Sequence, residues 1–240
     1  MAAIGLLIVM FMYVLLWEPL PVYAASSLIQ QNSNGCLCTS NPAVVTVSFL
    51  SNVAKGHVIL VGLAFSNKLH TTGLTPTILD TRGSTFTKAI TKTDTQKDVA
   101  AIYTAHLSSS GPDTVTVQFT NTKSPSFNVY WVFIYEVAGV TTIGKLTATG
   151  TGPSGSFSTS TSVSFPAGSF LLGVIYYSST GSTCKVGAGF TLSPGDSTCG
   201  TSGGDYMAEY STAGVSSPTK FRASSTGTDP WAEAGIALKP

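Results

Sequence analysis

Charge is what this sequence has least of. Charged residues fill 10% of its 240 positions, against about 25% in an average globular protein. The formal net charge is +1, and Lys, Arg, Asp and Glu are scattered with no block of one sign. A nucleic-acid binder needs a basic stripe to meet phosphate, so nucleic acid is excluded as a partner. Apolar residues never hold a helical period for long, so helices are not expected. No G-x-S-x-G elbow, P-loop or Cys-His pairing occurs, nor any N-x-S/T sequon. The three histidines, His57, His70 and His106, show no metal-ligand spacing to any cysteine, which removes a zinc site. The chain is therefore read as non-enzymatic, with no cofactor and no metal.

A basic residue is also missing from the start, because the first one in the chain is Lys55. The apolar run Ile4 to Leu16 nevertheless ends in Trp17-Glu18-Pro19 and is followed by Val22-Tyr23-Ala24, the small-residue pattern of a cleavage site. Residues 1–24 resemble a secretory signal, cut after Ala24 or Ala25, and predict a secreted, cell-surface protein with no stable membrane span after cleavage. An uncleaved anchor is the alternative.

What is present in quantity is Ser, Thr, Gly and strand-like runs. Lys55 to Phe65 (KGHVILVGLAF) is echoed by Ala167 to Tyr177 (AGSFLLGVIYY). Both are short, β-branched and aromatic, and predict central strands. The echo extends to Val47-Ser48-Phe49 and Val163-Ser164-Phe165, to Gly83 to Ala89 and Gly187 to Ser193, and to Asp98 to Ala105 and Asp205 to Thr212. Val115 to Phe119 and Val129 to Val137 close the first copy, Phe221 to Ser224 and Trp231 to Leu238 the second. Such self-similarity predicts two internal repeats, about 44–140 and 159–240. Val115 to Phe119 alternates, so one face should be wet, whereas Val129 to Val137 (VYWVFIYEV) is apolar on both faces and should be covered twice. The expected fold is all-β, an antiparallel β-sandwich of jelly-roll type over 42–240, either as one body or as two tandem sandwiches. Thr149 to Pro153 reads as a turn and Ser154 to Ser162 as a low-complexity bridge between the halves.

Residues 25–41 (ASSLIQQNSNGCLCTSN) belong to neither repeat. They read as a flexible leader or an edge strand of the same domain, or else as a strand donated to a neighbour, with Leu28, Ile29 and Leu37 as its apolar anchors. Four cysteines in an exported chain imply disulfides. Cys184 and Cys199 flank a hairpin-like segment and are the favoured pair, closing a loop worth about 3 kcal/mol. A direct bridge between Cys36 and Cys38 is geometrically awkward, which leaves their partners open, a neighbouring subunit included.

Candidate chemistry is sparse. Glu136 interrupts the most apolar strand, and Asp98, Asp205 and Glu209 sit in the matched strands. Each is either a structural residue or one of a carboxylate pair of glycosidase type. Calcium would need the loops around Asp196 and Asp205, where acidic groups are few. Trp131, Trp231, Tyr176 and Tyr177 form either a sugar-stacking platform or part of the core.

The strand A-K-G-H-V-I-L-V, the turn I-L-D-T-R-G-S-T-F-T, the segment G-P-D-T-V-T-V, the strand end Y-E-V-A-G-V, and G-A-G-F-T with the terminal A-G-I-A-L-K-P together resemble secreted, Ser/Thr-rich β-sandwich proteins of archaea and bacteria. These include subunits of archaeal surface threads and pili. The resemblance implies a filament subunit whose N-terminal strand completes the sheet of the next copy, a homopolymer built head-to-tail. It departs from the thread proteins in having no sequon. The alternative is a monomeric carbohydrate-binding or adhesive module that takes a surface polysaccharide; a hydrolase comes third. A leader lodged in its own chain would count against the polymer.

Overall fold

In the computed structural model, residues 24–38, 42–66, 76–120, 128–153, 155–177, 184–193, 205–212, 215–226 and 230–240 are described. The signal segment, His70, Asp196 and Cys199 lie outside them. Every regular element among the described residues is a strand, and no helix there is long and apolar enough to cross a membrane. The all-β expectation holds.

The first eight strands are β1 (Ser27–Cys38), β2 (Ala43–Ser48), β3 (Val58–Ser66), β4 (Thr77–Asp80), β5 (Thr87–Thr93), β6 (Asp98–His106), β7 (Thr114–Phe119) and β8 (Asn128–Ala138). They form a large sheet ordered β1-β8-β3-β6-β5 and a small one ordered β2-β7-β4. The other eight are β9 (Thr142–Gly152), β10 (Ser156–Ser158), β11 (Phe170–Tyr177), β12 (Cys184–Val186), β13 (Thr191–Leu192), β14 (Asp205–Ser211), β15 (Arg222–Ser225) and β16 (Trp231–Lys239). Their sheets run β13-β14-β11-β16-β9 and β10-β15-β12. Adding eight to every label of the first pair of sheets gives the second pair. All ladders are antiparallel.

The sheets stack in four layers, more than the single two-layer sandwich that was one of the two expected architectures and as many as two tandem sandwiches would give. Alternation decides which side chains meet. β2 and β7 bury every second residue: Val45 and Val47 face Val115 and Val117 and cover one side of β3, β6 and β8. The opposite side of those strands, through Leu60, Ile102, Phe133 and Tyr135, packs on Leu172, Val174, Ala234 and Ile236 of the second large sheet. The far side of that sheet, through Leu171, Ile175 and Met207, meets Phe157, Phe221 and Ala223 of the second small sheet. Each fully buried Val, Leu, Ile or Phe contributes about 1.5–3 kcal/mol. The double cover foreseen for Val129 to Val137 is real, because both large sheets are inner layers. They come so close that a Cβ on Gly62 would lie 2.7 Å from a methyl group of Val174. Trp131 stacks on Tyr206 across this interface with ring centroids 3.9 Å apart.

The leader is β1, and it pairs along its length with β8 of its own chain. Of its three readings, flexible leader, edge strand of the same domain and strand donated to a neighbour, the structure shows the edge strand. Its counterpart by position is β9, beside β16. The supposed turn Thr149 to Pro153 therefore supplies the end of a strand, and the supposed bridge supplies β10. The low Val and Ile content of these segments hid them: they are edge strands with one wet side, where hydroxyl and amide groups suffice.

Candidate functional site

Three groups of polar residues draw attention in this apolar stack. The first ties down the leader. Gln30, Asn32 and Asn34 project from one side of β1 and reach the small sheet: Asn32 Nδ2 donates to Ser48 O at 2.8 Å, Asn34 Nδ2 to Thr46 O at 2.9 Å, and Gln30 Nε2 to Ser51 O at 3.2 Å. Gln30 Nε2 also donates to Glu136 at 2.6 Å. Glu136 is fully buried and accepts from Ala54 N at 2.8 Å and from His57 Nδ1 at 2.7 Å. It is thus the buried anchor of a rim, tied to three donors. Leu28 packs at the edge of the central interface, while Ile29 is 49% exposed, and only the backbone of Leu37 is described. Cys36 and Cys38 are bridged to each other, with Cα atoms 5.2 Å apart. The direct bridge looked geometrically awkward from sequence, with the partners left open; in the structure the two cysteines pair with each other. Cys184 opens β12, but its side chain, like Cys199, is outside the described residues.

The second group is the set of aromatics read as either a sugar-stacking platform or core, and core is what the structure shows. Tyr176, Tyr177 and Trp231 are buried, and Trp131 is half-buried against Tyr206. Asp98 begins β6 and is buried, its N–H donating to Asp94 Oδ1 at 2.8 Å in the preceding turn. It is a strand-start residue, as the structural alternative had it. Asp205 begins β14, with its side chain undescribed. Among the described residues no three His, Cys, Asp or Glu side chains gather as a metal site.

The third group lies between the second large and second small sheets. Glu209 of β14 stands opposite Gly173 of β11 and is fully buried. Gly173 makes room for it: a Cβ there would sit 3.0 Å from Glu209 Cγ. Glu209 Oε1 accepts from Arg222 N at 3.0 Å and Oε2 from Gly187 N at 3.1 Å. Burial pushes its carboxyl up to about 7, against the lowering pull of those two N–H groups. Glu233 of β16, paired with Ile175, is also fully buried, and no hydrogen-bond partner for its carboxyl oxygens is found among the described residues. Burial, helped by the charge of Glu209, raises it well above the ordinary carboxylate range. Sequence analysis singled out Glu209 but missed Glu233, although Trp231 to Lys239 (WAEAGIALK) carries the same signal as Glu136, one acid in an apolar strand.

Above Glu209 opens a groove of about 440 Å³. Gly187 and Arg222, which lie side by side just beyond the Val186–Ala223 pair and whose N–H groups grip Glu209, line it with Ser162, Ser216, Thr219, Phe190, Val215 and Pro218. Among the described residues lining it, the charged ones are Lys220 and Arg222. Hydroxyls, a ring and two cations suit an oxygen-rich, anionic ligand. No family model matches this chain, and neither a curated protein nor a solved structure matches it.

Proposed function

We propose that the chain is an exported, non-enzymatic binding module of the cell exterior, two jelly-roll units in tandem, that holds an anionic polysaccharide in the groove of its second unit. The observation that carries this is the groove itself, lined among the described residues by the hydroxyls of Ser162, Ser216 and Thr219, by Phe190, and by the cations Lys220 and Arg222. A sugar ring needs a hydroxyl-matching rim and a ring to lie against. Two cations favour a uronate or sulfate over a neutral chain. The jelly-roll reading rests on the strand order, which crosses between the two sheets of each unit at every step except β5 to β6 and β13 to β14, and returns the eighth strand beside the first. The repeated order supports a duplicated unit.

Isothermal titration with polygalacturonate and with neutral dextran tests it. Polygalacturonate should bind and dextran should not, and Lys220→Ala with Arg222→Ala should abolish the binding. Equal affinity for both polymers, or none for either, overturns the reading.

A second reading, a filament built by strand exchange, is favoured by how β1 is attached. It is held mainly by its ladder to β8 and by amide side chains, and another copy's leader would make the same bonds. In the structure the leader serves its own chain, which is why the self-contained module comes first. Size-exclusion chromatography and negative-stain imaging, with and without residues 25–41, separate the two. Fibres that vanish with the leader would reverse the order of preference.

A further inference from the structure

The groove is one end of a longer basic face. In the second small sheet Phe157, Val186 and Ala223 point into the core, so their neighbours Ser156, Ser158, Lys185, Arg222 and Ser224 point out. The ladders set Ser158 beside Arg222, and Ser224 between Ser156 and Lys185. Lys220 stands two positions before Arg222 and lines the groove with it. With about 3.3 Å per residue along a strand and about 4.8 Å between strands, the Cα atoms from Lys220 through Arg222 to Lys185 span about 14 Å. Beside Arg222 the floor is bare backbone, because a Cβ on Gly187 would lie 2.4 Å from Arg222 O and 3.4 Å from Arg222 Cβ. Glu209, bonded to that backbone from below, is buried and faces away from the track. The first unit has the same face without the charge. Outward positions of β2, β7 and β4 carry Ser, Thr, Gln, Val and Leu, and none of them is ionisable. The fold therefore does not require these cations.

We propose that the outer face of the second small sheet is a binding track, which carries a linear uronate chain out of the groove along β15 and across to Lys185. This deepens the polysaccharide reading and rests on it. One exposed cation gives little to one carboxylate, because water and salt screen the pair. Linked carboxylates on linked cations behave differently: after the first contact the second and third are intramolecular. The ligand is thus recognised as a polymer. Ser156, Ser158 and Ser224 flank the cations and can exchange hydrogen bonds with sugar hydroxyls. A chain with one carboxylate per sugar suits a few cations spaced along a strand. Heavily sulfated chains bring more anions than three cations can meet, so the uronate fits better. Single-stranded nucleic acid needs rings on which its bases stack, and the outward positions of Ser156, Ser158, Lys185, Arg222 and Ser224 supply none.

Isothermal titration of the full chain with digalacturonate and with polygalacturonate reads the track. The polymer should bind more tightly than the dimer. Lys185 is exposed and lies outside the groove, so Lys185→Ala leaves the fold intact. It should weaken polygalacturonate about two- to fivefold, make its affinity fall less steeply with added salt, and leave the dimer unchanged. A dimer that does not bind while the polymer does, and loses affinity in Lys185→Ala, supports the track equally. Lys88→Ala removes the same charge from an exposed position of the first unit and should change nothing. No loss in Lys185→Ala, or an equal loss in Lys88→Ala, overturns the track and leaves the groove as the whole site. Dextran sulfate or a single-stranded DNA oligomer bound as tightly as polygalacturonate overturns the uronate as occupant. If neither dimer nor polymer binds, the polysaccharide reading falls and takes the track with it.

Discussion

The two units have one strand order and two different interiors. Between the sheets of the first unit, the places matching Glu209 and Glu233 are held by Tyr103, paired with Val61, and Val132, paired with Leu63. That interior is apolar, and its buried acids sit at its ends, Glu136 at the rim with three donors and Asp113 with Thr81. The second unit has set two carboxyl groups in the middle of its sandwich, one with two backbone donors and one with no partner found among the described residues. Topology is indifferent to this difference, because a strand needs only its ladder and one covered face. Stability is not, because a buried acid without a partner costs free energy.

Swapping the two interiors should have the largest effect. Val132→Glu sets an unpaired acid in the first unit's core and should cost more than roughly 4 kcal/mol, read as a sharp fall in urea midpoint. The mirror change, Glu233→Val, removes such a group and should stabilise by about 1–3 kcal/mol. Destabilisation by Glu233→Val would mean that the carboxyl has a bonded partner after all.

Acidity should sharpen the contrast next. Glu209 titrates from 4.5 when unfolded to about 7 when folded, so between those values the folded chain holds a proton that the unfolded chain has lost. Its contribution is therefore fully present below pH 4.5 and declines by about 3 kcal/mol as pH rises to 7. Urea unfolding across that window should show the decline, and Glu209→Gln should flatten it. A wild-type profile that rises instead would refute the assignment.

A smaller effect belongs to the first unit. Glu136→Gln weakens the grip on Gln30, Ala54 and His57 and should cost about 1–3 kcal/mol, with faster hydrogen exchange concentrated in Ser27–Cys38. Exchange that speeds up evenly over the whole chain would deny the rim its local role. Smallest of all is Cys36→Ser. The bridge closes so short a loop that losing it should cost on the order of 1–2 kcal/mol. Non-reducing electrophoresis should show monomer before and after, and a dimer lost on substitution would restore the bond between subunits.

How much of this could be read from residues alone follows from which side chains carry the elements. β3, β7, β8, β11 and β16 are built from Val, Ile, Leu and aromatics, and their positions were legible. β1, β9 and β10 are edge strands of Gln, Asn, Ser, Thr and Gly, and sequence alone could not tell them from leader, turn and linker. The layer count was half-legible. A strand apolar on both sides, such as Val129 to Val137, needs cover above and below, which a two-layer sandwich does not give. The matched strands Asp98 to Ala105 and Asp205 to Thr212 align in sequence with Ile102 opposite Glu209, yet the ladders set Tyr103 in that place. A one-residue slip reverses the face of every side chain. The groove was invisible, since Gly187 and Arg222 carry no motif and meet Glu209 only through backbone N–H groups.

The stacking of the two large sheets decides what would happen if the chain were cut at 139–141. Each fragment would keep its own ladders but bare a broad greasy plane, Phe133 and Tyr135 on one, Leu172 and Ile236 on the other. Neither half is suited to live alone in water, and the two, mixed, should find each other again. The pair of units should therefore melt as a single body, with one urea transition for both.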